Sequence, residues 1–355
     1  MSSIWIAFII ALLASLVLTA PMRRFALHIG MVDKPNPRKV HVKPVPLLGG
    51  VAIYAAFFLA VIITMHNNTR AEILAILAGA TLLAISGILD DVGILHHQIK
   101  LFVSMPLAAC VLIASGIHAQ VFAGFVPGRL GTLLDIGLTV FWVVGITAAF
   151  SILDHMDGLC AGIAAIAAAF FTVAALLNGQ ILVSTLAAAT LGAAVGFLRW
   201  NFSPAKIFMG DGGAMFLGFL MATLGLKLRL PGAHGPTNWL LPILILGVPI
   251  FDTTLITISR FRRGLLPFTS PGKDHTAHRL SNLGFGHRYA VVVMYGLACV
   301  FGVLGILTTY LPSSAVYVLF GILVLSSATA VVFLERSPYE RQPKVLELLH
   351  PTGSD

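Results

Sequence analysis

Apolar residues in this chain come in long runs, not in the spaced stripes of a surface helix. The stretch IWIAFIIALLASLVLTA, from Ile4 to Ala20, carries no charge at all. Comparable runs recur to about residue 334, separated by short polar segments. A helix needs roughly twenty apolar residues to cross a hydrocarbon core of about 30 Å. The pattern predicts eleven transmembrane helices, at about 3–21, 47–64, 71–89, 99–115, 133–150, 158–177, 180–199, 207–227, 238–257, 288–309 and 313–334. A helix satisfies its own backbone N–H and C=O groups where water cannot. The expectation is an all-α polytopic membrane protein, one domain over 1–335 with a short tail over 336–355.

Composition sharpens this picture. Hydrophobic residues make up 58% of the chain and charged residues 10%, with mean hydropathy +0.95. A soluble chain carries about 25% charged residues, so a soluble domain is excluded. The net charge of +8 fits loops beside anionic lipid better than a nucleic-acid surface. The first run has no basic residue before it and Arg23 and Arg24 after it, the reverse of a secretory leader. It reads as an uncleaved span with its N-terminus outside. Eleven spans then place eighteen Lys and Arg inside and four outside, namely Arg70, Arg129, Lys227 and Arg229. The positive-inside rule is satisfied, and the C-terminus is cytoplasmic. Cys110, Cys160 and Cys299 lack metal-site spacing and read as free packing thiols.

The same topology puts the unusual polar segments on one side. Asp90 and Asp91 end the third run, in LDDVGILHHQIK. A solvated helix end would explain one acid there. It explains an adjacent pair poorly, because the helix dipole disfavours negative charge at a C-terminus and neighbouring carboxylates repel. A positive group is expected between or above them. Asp154 and Asp157, in LDHMDGLCAG, share one side of a helical turn; an N-cap is the plain alternative for Asp157. Asp211, in FMGDGGAMF, would also suit an N-cap, but Gly212 and Gly213 leave the backbone open to a ligand. Several carboxylates on one face suit a hard divalent cation such as Mg²⁺, which takes one or two of them and fills its shell with phosphate oxygens and water. In SPGKDHTAHRL, His275 and His278 stand beside Lys273 and Arg279, with Arg260, Arg262 and Arg263 nearby. Basic groups opposite a carboxylate-bound metal describe a site for a diphosphate-containing substrate. Lys34, Arg38, Lys39 and His41, in the first inside loop, could add to it.

Taken in order, these segments resemble those of the polyprenyl-phosphate N-acetylhexosamine-1-phosphate transferases, over about Asp33 to Arg279. The histidine segment is most similar to the undecaprenyl-phosphate GlcNAc-1-phosphate branch. The resemblance implies an Mg²⁺-dependent transferase of the inner membrane, with Mn²⁺ an admissible substitute. It would move a HexNAc-1-phosphate from a UDP-sugar to a polyprenyl phosphate, release UMP, and begin a cell-envelope glycan. A homodimer is compatible with it; nucleic acid is not a partner. It implies catalytic roles for Asp90, Asp91 and Asp154, and metal ligation by Asp211 and Asp91. Substrate binding would fall to Lys34, Arg38, Lys100, Asp157, Asn201, Lys273, His275, His278 and Arg279. One departure stands out. Where the family carries Asn-x-x-Asn ahead of the Asp-x-x-Asp-Gly segment, this chain has Ala148 and Ser151. That departure keeps a non-catalytic binder of sugar nucleotide or lipid as an alternative. An ion-coupled transporter is the other, with Asp252 in PIFDTT as its one in-span acid.

Overall fold

The computed structural model describes residues 2–33, 44–65, 69–230, 236–266, 272–337 and 339. Its helices are α1 (Ser2–His28), α2 (Gly49–Thr64), α3 (Arg70–Asp91), α4 (His97–Ile99), α5 (Met105–Ala114), α6 (Arg129–Leu153) and α7 (Leu159–Leu177). They continue with α8 (Ile181–Asn201), α9 (Gly210–Lys227), α10 (Pro236–Ile245), α11 (Gly247–Arg262), α12 (Thr276–Leu280), α13 (Gly286–Thr308) and α14 (Ser313–Arg336). A π-helical turn over Lys100–Ser104 leads into α5, and another over Ser281–Phe285 joins α12 to α13. Among the described residues, seven helices are long and apolar enough to cross a membrane, and a bent pair raises this to eight. The protein is a helical membrane protein. Each of the eleven predicted segments is helical, but the α2 and α5 segments are shorter apolar helices and α9 falls outside the seven.

Two details differ from the sequence expectation. The predicted span at 238–257 is broken into α10 and α11, which meet at a 75° bend. Pro249 in the first turn of α11 has no N–H to continue the α10 ladder, and the Phe301 ring packs on Gly247 at the break. The chain also holds a small strand pair, β1 (Val32–Asp33) antiparallel to β2 (Val45–Pro46). Pro46 O then accepts from Phe208 N at 2.9 Å, and Gly49 N and Gly50 N donate to Phe208 O and Met209 O, both at 2.9 Å. These bonds tie the entry of α2 to the approach to α9.

Helix α9 is the buried centre; nearly every residue from Gly212 to Leu226 is inaccessible. It packs on α3, α6 and α2. The contacts at its first turn are made by glycines. A Cβ on Gly87 of α3 would lie 2.5 Å from the Asp211 carbonyl carbon, and one on Gly213 would lie 2.7 Å from Gly50 Cα. Backbones approach this closely only where side chains are absent. The end of α3 is thereby set against the start of α9. On the other flank α1 lies along α8, where Ser15 Oγ donates to Ala193 O at 2.7 Å and Trp200 Nε1 to Leu16 O at 3.1 Å. At the periphery, α14 buries only Val316 and Leu334, so its surface is available to lipid.

Candidate active site

The end of α3, the turn between α6 and α7 and the first turn of α9 meet at one end of the bundle. Asp91 lies at the C-terminus of α3, where the dipole is unfavourable. It is compensated by the opposite pole of another helix. Asp211 N donates to Asp91 Oδ1 at 2.9 Å and Gly212 N to Oδ2 at 3.3 Å. Asp91 thus caps α9 in trans, satisfying amides that the helix itself leaves free. Gly210, at φ 70°, gives the turn its shape and leaves no Cβ to strike the Asp91 carboxylate. A cap was the plain alternative for Asp211; its carboxylate turns instead toward Lys100 and Ser151.

Lys100 is the positive group that the acidic pair required. Its Nζ lies 2.7 Å from Asp90 Oδ2 and also pairs with Asp211 Oδ2. The π-helical turn at Lys100–Ser104 starts at this residue, and a buried Ser86–Ser104 hydroxyl pair at 2.6 Å fastens it to α3. Ser151 Oγ donates to Asp211 Oδ1 at 2.6 Å. The position of the departure from the family pattern therefore touches Asp211 itself.

Asp154 follows α6 directly. Among the described residues no hydrogen-bond donor reaches its carboxylate. Burial, followed by the negative charges of Asp211, Asp91 and Asp157, holds that carboxyl well above the usual range. Asp157 accepts from Ala205 N at 2.9 Å. Asn201 is 2% exposed; its Oδ1 accepts from Gly158 N at 3.0 Å and its Nδ2 donates to Ile207 O at 2.9 Å. Both residues join the α6–α7 turn to the segment before α9. Tyr295 of α13 closes the same turn, with its hydroxyl 2.5 Å from Gly158 O.

The histidine segment packs beside this turn. The His155 and His275 rings stack at 3.9 Å and 22°, and His278 lies 4.8 Å from His155. His155 and Asp252 were not among the site residues expected from sequence. His155 follows Asp154, and a histidine between two motif acids was the available signal. Asp252 was noticed only as an in-span acid. Burial, then the neighbouring His275 and His278, push the His155 imidazole well below its usual range.

The basic residues expected to face the acids are used differently. Arg260 binds Asp274 through two nitrogens at 3.0 and 2.8 Å, and Arg263 adds a third contact at 2.5 Å. Burial pushes the Asp274 carboxyl up, but Arg260 and Arg263 outweigh it and hold it at about 2. Arg279 is wholly buried, bonded to Asp274 O and Leu334 O at 2.7 Å and to Ser259 Oγ at 2.9 Å. It also pairs with Glu335 at 2.8 Å and lies over the Tyr339 ring at 3.8 Å. A buried guanidinium needs partners for its donors, and here Asp274 O, Leu334 O and Ser259 Oγ, all from the protein, take three of them. Arg262 is mostly exposed and only 3.7 Å from Glu335. Lys273 is half-buried beside the histidines. Lys34, Arg38, Lys39 and His41 lie outside the described residues.

Asp90, Asp91, Lys100, Ser151, Asp154 and Asp211 therefore form one cluster, with Asp157 and Asn201 behind it and His275 and His278 at its side. Hard oxygen donors crowded around the Lys100 ammonium suit a small divalent cation. A sequence model of glycosyl transferase family 4 matches residues 73–229, which hold every acid of the cluster. A probable undecaprenyl-phosphate N-acetylglucosaminyl 1-phosphate transferase of Bacillus subtilis is 36% identical to this chain, over 96% of each. A decaprenyl-phosphate N-acetylglucosaminephosphotransferase of Mycobacterium tuberculosis is 32% identical, over 90% of this chain and 86% of its own. The undecaprenyl-phosphate alpha-N-acetylglucosaminyl 1-phosphate transferase of Escherichia coli K12 is 29% identical, over 84% and 83%.

Proposed function

This chain belongs to glycosyl transferase family 4, and we propose that it transfers N-acetylglucosamine 1-phosphate from UDP-N-acetylglucosamine to a polyprenyl phosphate, undecaprenyl phosphate being the first choice. The observation that carries the proposal is the cluster of Asp90, Asp91, Asp154 and Asp211 around Lys100, at one end of a bundle of membrane-spanning helices. A lipid phosphate enters from the bilayer and a nucleotide from water, and such a place serves both. An oxygen of the lipid phosphate attacks the sugar-bearing phosphorus of the donor. The bond from that phosphorus to the UMP oxygen breaks, so lipid-diphosphate-sugar forms and UMP leaves.

In this reading Asp211 and Asp91 would hold Mg²⁺, which would supply neutralisation of the diphosphate charge. The Lys100 ammonium, already between Asp90 and Asp211, marks where positive charge is stabilised. It is placed to meet phosphate once the carboxylates have another partner. Asp90 orients the lipid phosphate, and Asp154, which no donor reaches among the described residues, faces the reacting groups. His275, His278 and Lys273 flank the diphosphate. Asp157 and Asn201 shape the nucleotide pocket through the turn they hold, and Arg279 supports the histidine segment from behind. The proposed topology has eleven spans, with α2, the α5 segment, α9 and the bent α10–α11 pair crossing beside the seven long helices. The N-terminus is outside, and the site faces the cytoplasm at the inner membrane.

The test is UMP release from purified protein given undecaprenyl phosphate, Mg²⁺ and a panel of UDP-HexNAc donors. UMP formed together with a lipid-linked sugar supports the reading. Tight UDP-sugar binding without UMP would favour a non-catalytic binder.

A further inference from the structure

Asp252 is a buried acid that the proposed reaction does not use. It lies within α11 and is 1% exposed. Both its oxygens are engaged by the histidine segment. Oδ1 accepts from Thr276 N at 2.7 Å, and Oδ2 faces His275 Nδ1 at 3.0 Å. A carboxylate offers only acceptors, so the hydrogen between them sits on Nδ1. This leaves Nε2 as the uncommitted nitrogen of His275, because the tautomer follows from the bond made by the other nitrogen. One face of the ring stacks on His155. His155 is pinned in the same way: its Nδ1 lies 3.2 Å from Ile152 O, and its Nε2 has no partner among the described residues. Contacts therefore run from Asp252 through His275 and His155 to the turn that carries Asp154. Asp252, His275 and His155 lie within 4.8 Å of one another. Stacked rings nevertheless send their in-plane lone pairs side by side, not toward one ion, so a metal site is disfavoured.

We propose that Asp252 is a positioning residue for the transfer: it holds His275 with Nδ1–H turned inward and Nε2 available to the substrate. The inference rests on the transferase reading, since His275 must meet a substrate for its tautomer to matter. It also explains why an acid stands inside a helix where a transporter would otherwise be considered. Asp252→Asn is the informative substitution. Its amide oxygen can still accept from Thr276 N, but its NH₂ then faces His275 Nδ1 and favours the opposite tautomer. The shape is kept while donor and acceptor are exchanged.

The experiment uses the full chain in nanodiscs with UDP-N-acetylglucosamine, undecaprenyl phosphate and Mg²⁺. Asp252→Asn is expected to lower kcat about a hundredfold, the scale of a lost acid–base or polarising group. KM for the donor should stay within about threefold, as for an interaction made mainly in the transition state. His275→Gln should lose a similar amount, and the double variant no more than the larger single loss. Histidine-selective ¹⁵N NMR of the wild type, with His275 assigned from the His275→Gln spectrum, should show the proton on Nδ1. That measurement does not depend on the Asn variant folding. Asp252→Asn turnover within threefold of wild type, losses that multiply in the double variant, or an Nε2–H tautomer would each overturn the inference. Wild-type protein that released no UMP would overturn the transferase reading, and this inference with it.

Discussion

The carboxylate of Asp211 meets Lys100 through one oxygen and Ser151 through the other, while its backbone N–H is held by Asp91. Losing its charge removes the centre of the cluster but little packing. Asp211→Asn should lower kcat by at least about a hundredfold, and Asp90→Asn likewise, with Tm near wild type. Turnover assays on variants checked by thermal unfolding measure both. Ser151 carries a second prediction. Its hydroxyl occupies one Asp211 oxygen that an incoming cation would compete for, and an amide oxygen in its place reaches farther and is itself a good ligand for a hard cation. Ser151→Asn should lower the Mg²⁺ concentration for half-maximal activity by roughly five- to thirtyfold, if one ligand contact contributes about 1–2 kcal/mol. Superimposable Mg²⁺ titrations would remove Ser151 from the metal's surroundings. The acids were readable in the sequence because charge at the end of an apolar run is conspicuous. The function of Arg279 was not, because its acidic partner Glu335 and Leu334 O come from a distant part of the chain.

Helices α3 and α9 bring the acids together through glycines, and that contact leaves no space to fill. Gly87→Ala puts a methyl group against the α9 backbone at Asp211. It should cost about 1–3 kcal/mol of stability, as overpacking does. It should also reduce activity more than that loss of folded protein explains, because the Asp91–α9 cap opens. Activity per folded molecule separates the two effects. The histidine segment is held to α11 by Asp274, whose folded carboxyl at about 2 lies below its usual range because of Arg260 and Arg263. A depressed carboxyl adds stability that is present above the unfolded pKa of about 3.9 and is lost as pH falls through 2. Asp274→Asn, which leaves two guanidiniums short of a partner, should therefore destabilise the protein by about 3–5 kcal/mol at pH 7. The gap from wild type should narrow below about pH 4, as followed by thermal unfolding in detergent. At this scale the existence of the helices was legible from apolar runs. The α10–α11 bend was not, since the apolar run continues through Pro242 and Pro249, and two prolines in the run do not by themselves say which one turns the axis. The strand pair was missed because two residues leave no alternating pattern.

Across the whole molecule, the eleven-span reading of the sequence puts eighteen Lys and Arg on one side and four on the other. The proposed topology follows from that asymmetry. In a background without native cysteines, Gln98→Cys should be labelled by an impermeant thiol reagent only from the cytoplasmic side, and Tyr310→Cys only from outside. Labelling of both from one side would remove the eleven-span arrangement. The site itself asks for two substrates that meet nowhere but at a membrane surface, a lipid phosphate and a nucleotide sugar. The most direct measurement of that claim is UMP release by the purified full chain in nanodiscs, given undecaprenyl phosphate, UDP-N-acetylglucosamine and Mg²⁺, with Asp211→Asn run alongside. The account predicts UMP in equal amount to the lipid-linked sugar, and at least about a hundredfold less from the variant. No UMP from folded wild-type protein, or equal turnover by Asp211→Asn, would contradict it.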